Sequence, residues 1–181
     1  MESNRVMVRE WQDKDLEDLF EIYKDPEIFR FIPGGKASEN LEQAKERLQR
    51  FKASKDSGFS GSGIFALVDK NLSRPIGTVL LKRLTLNGGK MAEETEVGWH
   101  LKKEYRGQGL ATEAARLLLE YGFRDLKLQE ILAVVGPENS SSRRVAERLG
   151  MLEEGLCHRY YDVPVILFRM SAGEYRNLRQ Q

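Results

Sequence analysis

The segment Arg106-Gly107-Gln108-Gly109-Leu110-Ala111 carries the most pointed chemistry in the chain. It falls where a strand-like pattern gives way to a helical one, so it opens a helix. A helix N-terminus presents unpaired N–H groups and the positive end of the macrodipole. Glycines at 107 and 109 remove two Cβ atoms, which lets the backbone curl closely around an anion. Arg106 adds a permanent charge and a planar donor set. The pattern suits a diphosphate cradle, and it also suits an ordinary tight turn. It lacks the Gly-Lys-Ser/Thr ending of a nucleoside-triphosphate loop. It also lacks the third glycine and strand-end acid of a dinucleotide fingerprint.

Groups able to move protons lie on either side. Strand parity over 93–101 puts Glu96, Gly98 and His100 on one face, and Thr95, Val97, Trp99 and Leu101 on a core-like face. A carboxylate at 96 is either a base in a cleft, a solvated strand position or the partner of a cation. His100 has a base's pKa class and also fits a hydrogen-bonded wall. Glu94 shares the parity of Glu96 nearer the strand's start, where it would attract a cationic group. Ser142, Tyr160 and Tyr161 carry hydroxyls that can protonate a leaving group, although packing is the commoner fate of such tyrosines. Cys157 is the single cysteine, so no intrachain disulfide can form, and no metal site is expected.

These residues need elements to hold them. The alternation in 5–9 predicts a strand, and Asp13 then begins a helix with Leu16, Leu19, Phe20 and Tyr23 on one stripe. Pro26 stops it. Phe29-Arg30-Phe31-Ile32-Pro33-Gly34 is turn chemistry flanked by aromatic side chains, which could line a pocket or cap the core. A second helix is expected from near Ser38, with Leu41, Ala44, Leu48 and Phe51 on its stripe. A mobile Ser/Gly loop is expected over 55–63. Strands are predicted over 64–68, 75–84 and 93–101, as an antiparallel meander. The helix over about 109–125 and the apolar run 131–135 imply a right-handed parallel crossover. A further helix runs from Ser140 to Leu149, with Gly150 as its cap. Strands near 153–160 and 165–170 complete an α/β (α+β) sheet. One domain is expected over 1–181, with 40% apolar and 31% charged residues.

A net charge of +1, from 29 basic and 28 acidic residues, gives no basis for a nucleic-acid or membrane partner. The polar N-terminus has no apolar stretch behind it, and no run is long enough to cross a bilayer. A soluble, cytoplasmic protein is the expectation.

In order along the chain, Glu96-Val97-Gly98-Trp99-His100-Leu101, the loop 106–111, Asn139-Ser140-Ser141-Ser142 and Leu149-Gly150-Met151 resemble the motifs of the GNAT N-acetyltransferase superfamily. Met151 replaces the usual aromatic residue. Arg9, Asp13-Lys14-Asp15 and Asp25-Pro26-Glu27 resemble its ribosomal-protein N-terminal (alanine/serine) acetyltransferase branch. The resemblance implies a mixed, mostly antiparallel sheet with flanking helices and a central parallel strand pair that splays apart. Acetyl-CoA would be the cosubstrate. The pantetheine arm would enter the splay and bond to backbone groups near His100, Leu101 and Lys102, and the diphosphate would sit on 106–111.

Asn139 would bond the pantetheine, or it is a plain helix N-cap. The chemistry implied is direct transfer to an amine in a ternary complex. Glu96 is the first candidate base and His100 the second, with Ser142, Tyr160 or Tyr161 as acid. The branch often carries a glutamate near the position of Tyr161, so its usual pairing is altered here. Phe29, Phe31, Glu94 and Tyr160 are the candidate acceptor-binding residues. Acceptors that fit are a protein N-terminus, which the branch favours, a polyamine, an aminosugar or an amino acid. Alternatives are a longer acyl donor or a non-catalytic acyl-CoA sensor. The chain would be a monomer or homodimer.

Overall fold

A computed structural model describes residues 1–56 and 58–180; Ser57, inside the expected loop 55–63, and Gln181 lie outside the described residues. The elements are β1 (Val6–Arg9), α1 (Leu16–Tyr23), α2 (Leu41–Ala53), β2 (Gly63–Asp69), β3 (Arg74–Thr85), β4 (Met91–Leu101), α3 (Leu110–Glu120), β5 (Glu130–Val135), α4 (Ser140–Leu149), β6 (Leu152–Cys157), β7 (Val165–Ser171) and α5 (Ala172–Leu178). The strands form one seven-stranded sheet in the order β1-β2-β3-β4-β5-β7-β6. Every neighbouring pair is antiparallel except β4 and β5, which run parallel.

Both faces of the sheet are covered. Leu110, Ala114, Leu118 and Leu119 of α3 pack with Val79, Leu81, Val97 and Ile131 on one face. Leu19, Ile22 and Tyr23 of α1 and Ala44 and Leu48 of α2 pack with Ala66 and Val68 on the other. The apolar period of each helix dictates this, since one stripe must leave water. Among the described residues no helix is long and apolar enough to cross a membrane.

Several boundaries differ from the sequence expectation for local reasons. α2 begins at Leu41 because Asn40 is its cap, accepting from the Gln43 N–H. Ser38 is buried instead and its N–H bonds the Tyr23 carbonyl. The helix expected to reach 125 changes to a π turn over Tyr121–Asp125, where Leu126 N–H reaches the Tyr121 carbonyl. β6 stops at Cys157, and Tyr160 forms an isolated bridge to Leu86. α5 was not expected, although its capping box, Ser171 with Glu174, is readable in sequence.

Gly77 of β3 pairs with Leu101 of β4. A Cβ on Gly77 would stand 2.3 Å from the His100 carbonyl oxygen and 3.1 Å from Leu101 Cα, both backbone atoms that cannot swing aside. Gly77→Ala is expected to cost about 1–3 kcal/mol of stability in urea unfolding, as overpacking does.

Candidate active site

β4 and β5 share one register pair, Glu96 with Leu132, and then part. The Lys102 N–H bonds the Ile76 carbonyl of β3. Ladder bonds alternate, so the main-chain groups of His100 and Gly98 also point to β3. Those of Leu101 and Trp99 point the other way, into the gap left by β5. A row of strand-edge groups therefore lines a cleft of about 1140 Å³. The gap-facing residues are 99 and 101, with Lys102 committed to β3. The Leu101 carbonyl accepts from Arg106 Nε at 3.0 Å, which anchors the next loop to the strand end.

That loop is shaped by two left-handed glycines, Gly107 at φ 77° and Gly109 at φ 79°, the second being the N-cap of α3. Residues with a Cβ adopt this conformation only with strain. Among the described residues, the N–H groups from Gly107 to Thr112 have no partner. The Thr112 hydroxyl is buried, lines the same cleft and is also without a partner. An orphaned buried hydroxyl beside a row of free N–H groups fits an acceptor-rich anion such as a diphosphate. Gln108 is turned away: its side-chain amide donates to the Glu104 carbonyl, and it does not line the cleft. Ser142 and Asn139 of the α4 end do line it. Asn139 Oδ1 caps α4, accepting from the Ser142 N–H and the Ser141 hydroxyl.

Glu96 is 5% exposed and faces the cleft where the strands part. Its cross-strand neighbour is Lys82, whose Nζ lies 2.7 Å from Glu96 Oε1. Tyr161 donates to the same carboxylate oxygen, and Lys82 donates to the Tyr161 hydroxyl at 2.8 Å. Burial, then the Glu96 charge and hydrogen bond, raise the Tyr161 pKa far above its usual range, so the phenol stays protonated. Tyr161 sits at φ 59°, and its N–H is tied to the Thr85 carbonyl.

His100 stands four residues along the same face. Its Nδ1 is 3.3 Å from the Tyr23 hydroxyl, which itself donates to Thr78 Oγ1. Burial, with Arg47 and Arg106 nearby, lowers its pKa to about 4. A ring that holds a proton so poorly is a weak base toward an ammonium group. The candidates for proton transfer that come together are thus Glu96 and Tyr161, with Ser142 on the facing wall. Phe29 and Phe31 line the cleft, whereas Glu94 and Tyr160 do not. Glu94 is held by Arg159 at 2.6 Å, and Tyr160 is buried with Leu84 and Leu132.

Sequence reasoning missed Lys82, Thr112 and Arg47. Lys82 was readable only through the β3–β4 register. Thr112 lies one residue past the loop motif. Arg47 interrupts the apolar stripe Ala44, Leu48, Phe51, which is an unusual place for a charge.

A family profile described as an acetyltransferase (GNAT) domain matches residues 5–152. The N-acetyltransferase YnaD of Bacillus subtilis is 30% identical over 154 residues, 84% of this chain and 82% of its own. The crystal structure of ribosomal-protein-S5-alanine acetyltransferase from Vibrio fischeri has a TM-score of 0.71 at 23% identity, covering 97% of both chains. The aminoglycoside acetyltransferase AAC(6')-Ib, solved with ribostamycin and coenzyme A, has a TM-score of 0.79 at 20% identity, covering 97% of this chain and 98% of its own. At these identities the two structures attest the fold.

Two outcomes follow from the geometry. Thr112→Val should leave the free protein as stable as before or slightly more so, because it removes an unsatisfied hydroxyl. It should weaken CoA binding by about 10-fold or more in calorimetry, as loss of a hydrogen bond to a charged group does. The second concerns His100. The unfolded chain takes its proton near pH 6.5, but the folded chain only at about 4. Its contribution to stability is therefore complete above about pH 6.5 and lost as pH falls toward 4. Its ring resonances should titrate near pH 4, and the stability difference from His100→Gln should shrink across that window.

Proposed function

The chain belongs to the GNAT acetyltransferase family, an acetyltransferase with acetyl-CoA as cosubstrate, and we propose that it acetylates a protein N-terminal amine by direct transfer in a ternary complex. Acetyl-CoA supplies the acetyl thioester. The free main-chain groups of Trp99 and the Leu101 N–H would hold the pantetheine as an added strand and polarise the thioester carbonyl. The N–H groups of Gly107, Gly109, Leu110 and Ala111, the Thr112 hydroxyl and Arg106 would hold the diphosphate. Asn139 would meet the pantetheine through its amide nitrogen, since its oxygen caps α4.

The observation that carries the mechanism is the Glu96–Tyr161–Lys82 cluster on the cleft wall. The acceptor reacts as the neutral amine, its ammonium proton having passed to solvent. Glu96 takes a proton from the nitrogen as the N–C bond forms and the C–S bond breaks. Tyr161 donates its own proton to the departing sulfur. The hydrogen bond between them lets Glu96 reprotonate Tyr161, so the proton lost by the amine ends on the thiol and both residues are restored. Lys82 holds the two oxygens together and offsets the buried carboxylate. Ser142, on the α4 wall, is the second hydroxyl within the cleft. No acyl-enzyme is required, and Cys157 takes no part.

An N-terminal α-amine suits this machinery because its pKa, near 8, leaves a useful neutral fraction that a lysine-like amine near 10.4 lacks. The charge of the cleft supports the same choice over a polyamine or aminosugar. Its three carboxylates, Glu27, Glu96 and Glu138, are each within 4 Å of a cation, at Arg106, Lys82 and Arg30. Arg47, beside Tyr23 and Phe29, has no carboxylate partner among the described residues. A polycation would enter a site with surplus positive charge. The same reading sets the enzyme in the cytoplasm, as a monomer or homodimer.

Glu96→Gln is expected to lower kcat by about 10²–10⁴-fold while CoA affinity stays near wild type. Tyr161→Phe should lower kcat without raising the acceptor KM. The assay is thiol release from acetyl-CoA against N-terminal peptides, polyamines and aminosugars. CoA binding with no turnover of any acceptor would favour the sensor reading, and turnover unchanged in both variants would overturn the roles of Glu96 and Tyr161. Faster turnover of succinyl-CoA than of acetyl-CoA would replace the donor.

A further inference from the structure

The acceptor half of the cleft has two chemically distinct ends. On the β3–β4 face, three cross-strand pairs succeed one another: Lys82 with Glu96, Leu80 with Gly98, and Thr78 with His100. The first pair holds the reacting end. The middle pair forms an apolar floor, and Gly98 leaves it low. The last pair lies under Tyr23, and four residues at about 3.4 Å each put it roughly 14 Å along the strand from the first.

Above that far end sits Arg47 of α2. Its guanidinium carbon lies 4.7 Å from the centroid of the Tyr23 ring and 5.1 Å from that of Phe29. Nε donates to Ser38 Oγ at 3.3 Å and Nη2 to the Lys36 carbonyl at 2.5 Å. Nη1 has no hydrogen-bond partner among the described residues, and no carboxylate pairs with the group. It is half-buried and lines the cleft. Burial lowers its pKa from the usual arginine value, a sign that its charge lacks full compensation. Two aromatic faces and two hydrogen bonds thus fix a guanidinium with donors to spare. A planar, immobilised guanidinium of this kind suits a carboxylate.

We propose that Arg47 reads a carboxylate on the acceptor, several ångströms from the amine that Glu96 serves. The preferred substrate is then an N-terminal peptide with Asp or Glu at its third or fourth residue. This rests on the peptide reading given above. Extended chain spans about 3.3–3.6 Å per residue, so an acidic side chain at the third or fourth position covers the distance between the two ends. An α-amino acid is too short to bridge them, and its carboxylate would fall on the Leu80–Gly98 floor. The other source of the same chemistry is a small ω-amino carboxylate of comparable span.

The test compares C-terminally amidated peptides that begin Ala-Ala-Asp, Ala-Ala-Asn and Ala-Ala-Lys, together with the same series shifted to position four. 6-Aminohexanoate and spermidine complete the panel. Wild type should prefer Asp over Asn by at least about tenfold in kcat/KM, through KM, and should disfavour Lys. Added salt should erode the preference. Arg47→Gln should abolish it, and Arg47→Lys should restore part of it; unchanged CoA affinity shows that each variant is folded. Equal kcat/KM across the peptides would overturn the role of Arg47 and leave the peptide reading standing. Arg47-dependent turnover of 6-aminohexanoate, with no peptide acetylated, would keep Arg47 and overturn the peptide acceptor. Preference for spermidine would overturn both. The wild-type comparison needs no variant, so the proposal stays testable if Arg47→Gln fails to fold.

Discussion

Two parallel strands that pair at a single position leave two rows of main-chain groups facing each other across empty space. In this protein Glu96 with Leu132 is the one ladder pair between β4 and β5 among the described residues. Beyond it, N–H and C=O groups of β4 still point at β5 and cannot reach it. Unpaired strand edges inside a molecule are costly, so such a gap persists only where something else can fill it. Everything else in the site is arranged around this opening. α3 begins at its far end, with the free N–H groups of its first turn beside the strand edge. The carboxylate of Glu96 sits at its near end.

The charged cluster at the near end depends on the same geometry. A carboxylate as buried as Glu96 is unfavourable alone. Lys82 directly across the ladder and Tyr161 from the β6–β7 connection each give it a hydrogen bond. Removing either would leave a buried charge short of partners, which is why such pairs are fragile to single truncation. The register of β3 against β4 therefore determines the chemistry as well as the packing. Gly77, where a Cβ would meet the β4 backbone, helps keep that register.

Much of this architecture could be read from local pattern. Apolar periodicity marked α1, α2 and α3, the Gly150 cap marked the end of α4, and the apolar run 131–135 marked the buried parallel strand. The glycine spacing at 107 and 109 marked the loop before α3, and the parity of β4 separated Glu96 from the core face. What stayed hidden depended on contacts distant in sequence. Lys82 and Tyr161 lie on either side of Glu96 in the chain, and only the sheet order joins them. α5 was missed because its stripe is short and weakly apolar, even though Ser171 and Glu174 announce it. Tyr160 belonged to an expected strand, but the chain turns at 158–162 and carries it into the cluster with Leu84 instead. Arg47 breaks an apolar stripe, and its aromatic partners Tyr23 and Phe29 come from outside its helix.

Tyr161 occupies a backbone conformation that suits glycine or asparagine better than an aromatic residue. The neighbouring Asp162 shares it, and Asn87 and Gly88 bond to Asp162 to hold the turn. Such strain costs on the order of 1 kcal/mol or more and persists only where the surroundings enforce it. At Tyr161 the hydrogen bond to Glu96 and the packing against Leu84, Leu132 and Tyr160 supply that enforcement. Glycine there would relax the backbone yet leave the buried carboxylate short of a donor, so stability and turnover would fall together.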